Sequence, residues 1–234
     1  MRKYLIVAIA ALTAMAFTTV ALAQTPAATM KVSIKPKKAG TKKKPKNSSI
    51  ELNIENADPK RTLDKLTITA PKTFKLSAKG LTKCDAQALE AQGPDACPKA
   101  SKVGGGEARA LSGVNTATPT PLTFEVTAFV TGSNKLGFYL AGQEVPINLV
   151  SPGTIKGRKL TIQVPAAAQQ LPPGNYNGLV SIHTTLKGKK GKHYLASTIG
   201  CKKKKHPFST VLTFGDNPVS DPGSVTVKAS SKCS

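Results

Sequence analysis

The chain has 234 residues, with 34 Lys+Arg against 12 Asp+Glu and a formal net charge of +22. Trp is absent and Tyr numbers four, so any core has to come from Val, Ile, Leu, Phe and Ala. Abundant Thr, Ser, Gly and Pro argue against a helical protein, and the charge alone does not assign the chain to nucleic acid, because it opens like an exported protein.

Met1, Arg2 and Lys3 precede an apolar run from Leu5 to about Ala23, broken by Thr13, Thr18 and Thr19. Ala21, Leu22 and Ala23 form the small-x-small pattern read by signal peptidase, which predicts a signal peptide over 1–23 and cleavage before Gln24. The run approaches transmembrane length, but the polar, Pro-containing stretch after it favours cleavage over anchoring. No membrane span is expected after cleavage. Removing Arg2 and Lys3 leaves 32 basic and 12 acidic residues, or +20, on 211 residues. That length suits one large β domain or two small ones.

Residues 24–46 read as a basic leader, in which eight of residues 31–46 are Lys. The Val32/Ile34 alternation and the cleaner one of Ile50, Leu52 and Ile54 predict an opening hairpin with the Lys-rich piece as its exposed loop. The β-rich domain is taken as 47–234. Strands are predicted at 66–71 and 72–77. Residues 84–91 then change period: Asp85 caps a short helix over good helix formers, and Gly93-Pro94 stops it. Further strands follow at 106–111, 122–130, 136–140, 144–150 and 157–164. Residues 165–174, rich in Pro, Ala and Gln, read as a bend or crossing loop, and strands at 177–186, 193–199, 208–214 and 224–229 complete the series.

About ten to twelve short strands at intervals of roughly 8–15 residues predict an all-β fold, an immunoglobulin-like or related sandwich. Two β modules are an alternative, with a boundary near 112–121. The intervening helices of a parallel α/β sheet are missing from the pattern.

The four cysteines, Cys84, Cys97, Cys201 and Cys233, fit two disulfides in an oxidising compartment. Three pairings are formally open. The most local, Cys84–Cys97 with Cys201–Cys233, is the one expected. No pair has CxxC spacing and His183, His193 and His206 are scattered, so neither a metal site nor a cofactor is expected.

The stretch from Lys83 through Cys84 to Cys97-Pro98, with Ser101, Val103 and Gly104–Gly106, resembles a group of secreted β-rich proteins of high-GC actinobacteria. That group carries Cys, a short helical turn, then Cys-Pro-x-x-Ser-x-Val-Gly and a small-residue strand. Residues 195–201 and Cys233 are similar to its second cysteine pair. The resemblance covers roughly 48–233 and implies export, a β fold and local disulfides, with no activity attached. The chain departs from the group at 202–208, where Lys202, Lys203, Lys204 and Lys205 replace a Gly- and Trp-containing stretch.

Basic clusters are the main functional candidates: Lys42, Lys43, Lys44 and Lys46; Lys187, Lys189, Lys190 and Lys192; and Lys202–Lys205. They read as anion-binding residues for envelope polymers, DNA or lipid headgroups, or as solvated turns that keep the domain monomeric. If 193–199 is one strand it spans about 23 Å at ~3.3 Å per residue, which puts the second and third clusters at opposite ends. Sequence-specific nucleic-acid binding is not expected. Lys is a point charge without a rigid fork, and Phe124, Phe129, Phe138 and Tyr139 fall away from the clusters.

No catalytic residue is expected either. There is no Gly-x-Ser-x-Gly elbow, and Gly104–Gly106 lacks the Gly-Lys-Ser/Thr ending of a phosphate loop. Glu51 and Glu55 share a strand face but stand about 13 Å apart, too far for a direct acid/base pair. The expected function is a noncatalytic envelope or extracellular protein touching anionic polymers with low specificity. The alternatives are a structural domain that binds a protein partner, and, behind it, an envelope hydrolase using His183 or His193.

Overall fold

A computed structural model describes residues 27–234. The expected signal peptide lies outside the described residues. Strands β1 (Ala28–Lys35), β2 (Lys46–Asn47), β3 (Ser49–Asn56), β4 (Leu63–Thr69) and β5 (Phe74–Leu76) precede helix α1 (Ala86–Gln92). Then come β6 (Lys102–Ser112), β7 (Thr120–Gly132), β8 (Lys135–Gly142), β9 (Asn148–Lys156), β10 (Lys159–Gln163) and the single turn α2 (Ala166–Gln169). The chain ends with β11 (Asn177–Leu186), β12 (Lys189–Lys190), β13 (His193–Tyr194), β14 (Ala196–Thr198), β15 (Lys205–Phe214) and β16 (Gly223–Lys232).

Eleven of these strands form one sheet in the order β1-β3-β11-β6-β7-β8-β9-β10-β4-β15-β16, antiparallel throughout. The sheet curls until its edges meet as a near-closed barrel, with β1 against β16. An odd number of alternating strands leaves the two edges pointing the same way. The seam contacts agree: the Ile34 amide donates to Ser231 Oγ at 3.0 Å, and the Ser234 amide to the Lys37 carbonyl at 3.0 Å. Residues 113–119 form the connection between the hydrogen-bonded strands β6 and β7.

Side-chain alternation sets inside from outside. On β3, Ile50, Leu52 and Ile54 are buried, and on β15 so are His206, Phe208, Thr210, Leu212 and Phe214. Their neighbours Glu51, Asn53, Glu55, Ser209 and Thr213 face outward. An apolar inside with a polar outside is the reverse of a membrane-spanning barrel, which shows its apolar band to lipid. Among the described residues no helix is long and apolar enough to cross a membrane.

Helix α1 forms where its capping signals predict it. The Asp85 carboxylate accepts from the Ala88 amide at 2.9 Å, and Gly93, at φ 78°, ends the helix. Leu89 packs with Cys84, Cys97 and Phe129 in a small second core on the outer wall. Both expected disulfides are present, Cys84–Cys97 and Cys201–Cys233.

A three-stranded sheet, β2-β14-β5, caps one end of the barrel. Beneath it His206 is 1% exposed. Its Nδ1 lies 3.0 Å from Thr73 Oγ1, its ring meets Phe74 edge-on, and its Nε2 is buried without a partner. Burial pushes the imidazole below its ordinary range. The unfolded chain therefore binds a proton that the folded one refuses. Stability is retained above about pH 6.5 and falls on acidification, with a slope from this one group of at most ~1.4 kcal/mol per pH unit. Urea unfolding between pH 7.5 and 5 should show this slope in the native protein and a flatter one in His206→Gln; equal slopes would remove His206 as its source.

Candidate functional site

Strand register fixes where the lysine clusters lie. β1 rises to Lys35 at the capped end, so β3 starts there at Ser49. Leu186 of β11 pairs with Ile50, which puts the close of β11 at the same end. The starts of β6, β8, β10 and β15 follow by their pairings. Loop 36–48, the 187–192 hairpin and the 202–205 turn therefore all crown one end, and every lysine of the three predicted clusters is there.

This differs from the expectation that 193–199 would separate the second and third clusters. That segment is two short strands. Leu195 is buried, and its amide donates to the Gly188 carbonyl at 3.0 Å, closing the 187–195 hairpin. β14 then turns across the barrel end to pair with β2 and β5. Lys46 stands opposite Thr198, and the Gly40 amide donates to Thr198 Oγ1 at 3.1 Å. The third cluster joins through the chain terminus. Ser234 bonds to Lys37 and Ala39, while the Cys233 amide donates to the Lys204 carbonyl at 3.0 Å.

The cap end also gathers basic residues outside the predicted clusters. Lys72, Arg158 and Lys228 line a groove on the barrel shoulder with Lys202, Lys203 and Lys205. Pro71, Thr73, Pro207 and Ser209 also line it, and among the described residues no carboxylate borders it. Arg158 is partly committed, since its guanidinium donates to the Ala70 carbonyl at 2.7 Å. The lysines have no salt-bridge partner; among the described residues ion pairs join only Arg109 to Glu107 and His183 to Glu51. Acidic residues gather instead at the opposite end, where Asp58, Asp64, Glu144, Asp216 and Asp221 sit in or beside its connections. Glu51, Glu107 and Glu125 lie on the barrel wall, and Asp85, Glu90 and Asp95 belong to the α1 segment.

Lys72, Arg158 and Lys228 were not singled out as anion-binding residues by sequence, because Lys72 and Lys228 stand apart from the lysine runs there and Arg158, with Lys156 and Lys159, falls at the start of a predicted strand. Only the pairing of β4 with β10 and β15, and of β15 with β16, brings them beside the 202–205 turn.

That turn is strained. Lys203 and Lys204 have φ of 54° and 55°, and the Lys205 amide donates to the Lys202 carbonyl at 3.2 Å. Two successive positive-φ residues define the hairpin turn that Asn-Gly fills most easily. A side chain in this region costs about 1–2 kcal/mol per residue. The turn is held by the Cys201–Cys233 bridge, the Lys204–Cys233 hydrogen bond and β15.

Chemically, this end offers many long cationic side chains with no paired carboxylates, on a surface broad enough for an extended polyanion. Of the histidines, His206 is buried in the core, His183 is on the outer wall beside Glu51 at 3.5 Å, and His193 packs near Gly80. They do not converge. Compared with known proteins, the chain matches no family model, and no curated protein matches it.

Proposed function

We propose that this is an exported, noncatalytic binding protein whose lysine-bearing barrel end attaches to anionic polymers of the cell envelope or its surroundings with low sequence specificity. The observation that carries the reading is the convergence of all three lysine clusters on one end, beside a groove lined by six cations and no carboxylate. The signal-like N-terminus and two disulfides support an extracytoplasmic setting. Lysine suits such contacts, because its ammonium is a point charge that follows a phosphate backbone without demanding one geometry.

The strained turn supports the same reading. Backbone strain that persists invites a functional explanation, and here it displays Lys203 in the groove lining and Lys204 next to it in the turn. Replacing Lys203 by Asn and Lys204 by Gly should stabilise the protein by about 1–2 kcal/mol, since both new residues tolerate positive φ. The same double variant should bind duplex DNA, a convenient polyphosphate backbone, more weakly and with a salt slope shallower by up to about 2. Denaturant melts and fluorescence anisotropy at several salt concentrations read both effects. Lower stability with unchanged binding would count against the turn as a binding element.

A further inference from the structure

The barrel interior is unevenly filled. Under the cap, Leu76, Leu195 and Ala196 pack onto Ile50, Leu136 and Leu186 and leave only about 10 Å³. Farther down the barrel lies an apolar cavity of about 120 Å³. The cause is geometric. About eight strands make a barrel that side chains just fill, and this one has eleven. β6 also presents small residues, Ala108 and Ala110, to the space, which Phe124 and Ile182 on the neighbouring strands and Phe138 on β8 also line. Ala108, Leu140, Ile162 and Ile182 belong to the core yet stay only partly buried. Apolar walls around a void forgo dispersion contacts, and water finds few partners among them.

Four polar residues, Arg109, Ser151, Asn177 and Thr184, interrupt the apolar lining, and the Thr184 hydroxyl donates to the Gly105 carbonyl at 3.4 Å. Asn177 is 4% exposed and borders the cavity. Its Nδ2 donates to the Ala168 carbonyl at 3.0 Å, whereas its Oδ1 has no partner and no accessible surface, so a ligand reaches it only when the side chain turns toward the cavity. Arg109 also borders the space, but its Nε is held by Glu107 at 2.5 Å, so no unpaired charge calls for an ionic ligand. An apolar cavity of about 150 Å³ accepts benzene, which sets the scale of what fits.

We propose that this cavity is a binding site for a small neutral molecule of about one aromatic ring bearing a hydroxyl, with the ring against the Phe, Leu and Ile walls and the hydroxyl donating to Asn177 Oδ1. The site is independent of the lysine end. Neutral probes therefore keep polymer binding out of the measurement.

The test is calorimetric titration of the mature protein with phenol and with benzene, beside methyl NMR of the complex. Phenol should bind about fivefold more tightly than benzene, the weight of one hydrogen bond. Asn177→Ala should retain benzene and lose the preference. Ala108→Leu should weaken both probes at least tenfold by occupying the void, and Ala110→Leu serves the same purpose if the first variant fails to fold. In the native complex, phenol protons should show contacts to Phe138 and Ile182. Absence of binding by either probe, undiminished binding in a folded filled variant, or contacts confined to residues outside the cavity would overturn the assignment.

Discussion

Replacing Lys72, Lys202, Lys203, Lys205 and Lys228 together by Gln is expected to abolish most of the affinity for duplex DNA and for long-chain polyphosphate. These residues line the shoulder groove with Arg158, and none has an acidic partner. Each phosphate contact releases a counterion and contributes about −0.9 to the slope of log K against log salt on duplex DNA. If the groove and the neighbouring loops make six or more contacts, affinity should fall about a thousandfold between 50 and 200 mM salt. The five-site variant should lose about 4 units of that slope and bind weakly at every salt concentration.

Arg158 is left in place because it also holds the Ala70 carbonyl. Lys60 and Lys65 supply the control. They lie toward the opposite end, beside Asp58 and Asp64, and changing both to Gln should move the slope by far less. An equal loss per lysine removed in both variants would mean that net charge, and not the capped end, governs binding.

The second large effect concerns the Cys201–Cys233 bridge. Its partners are 32 residues apart, and the loop it closes should contribute about 4 kcal/mol by restricting the unfolded chain. It also lies beside the seam, where β1 and β16 meet through a few side-chain and terminal backbone bonds in place of a full ladder. Cys201→Ser with Cys233→Ser should therefore lower stability in urea by about 4 kcal/mol and the melting temperature by about 10 °C. The corresponding change at Cys84 and Cys97, which closes a separation of 13 residues, should cost about 3 kcal/mol. Loss of the longer bridge should also weaken polyanion binding, because the strained lysine turn is anchored by it. Unchanged stability after removal of Cys201 and Cys233 would mean that the seam is held by other contacts.

Local signals in the sequence were translated directly into structure. Asp85, the helix formers after it and Gly93-Pro94 specify α1 within a few residues of chain, and both disulfides join nearby cysteines. The alternation at 50–54 became a strand with Ile50, Leu52 and Ile54 inward, and the strands predicted at 122–130 and 208–214 lie within β7 and β15. The Lys-rich piece between β1 and β3 became the predicted hairpin loop.

Other features required contacts between distant residues. Strand count and alternation are shared by sandwiches and barrels. Closure depends on β1 meeting β16 across almost the whole chain, which periodicity does not encode. β9 extends through Pro152 and Gly153, residues that argue against a strand when read alone. Gly153 is tolerated because a side chain there would strike the Phe138 ring. The apparent strand at 193–199 divides because Leu195 serves the hairpin and β14 serves the cap. That division brings the lysine clusters together. The cavity was equally invisible, since nothing local says that Ala108, between Phe124 and Ile182 on its neighbouring strands, will border an unfilled interior.

Lysine footprinting of the mature protein tests the central claim most directly: acetylation rates measured by mass spectrometry with and without long-chain polyphosphate at low salt. Protection should concentrate on Lys72, Lys202–Lys205 and Lys228, extend to the 36–48 loop and the 187–192 hairpin, and disappear at high salt. Lys60 and Lys65 should react as they do in the free protein. Protection spread evenly over all lysines, or none at low salt, would contradict a polyanion-binding end and leave the charge as a solvating shell.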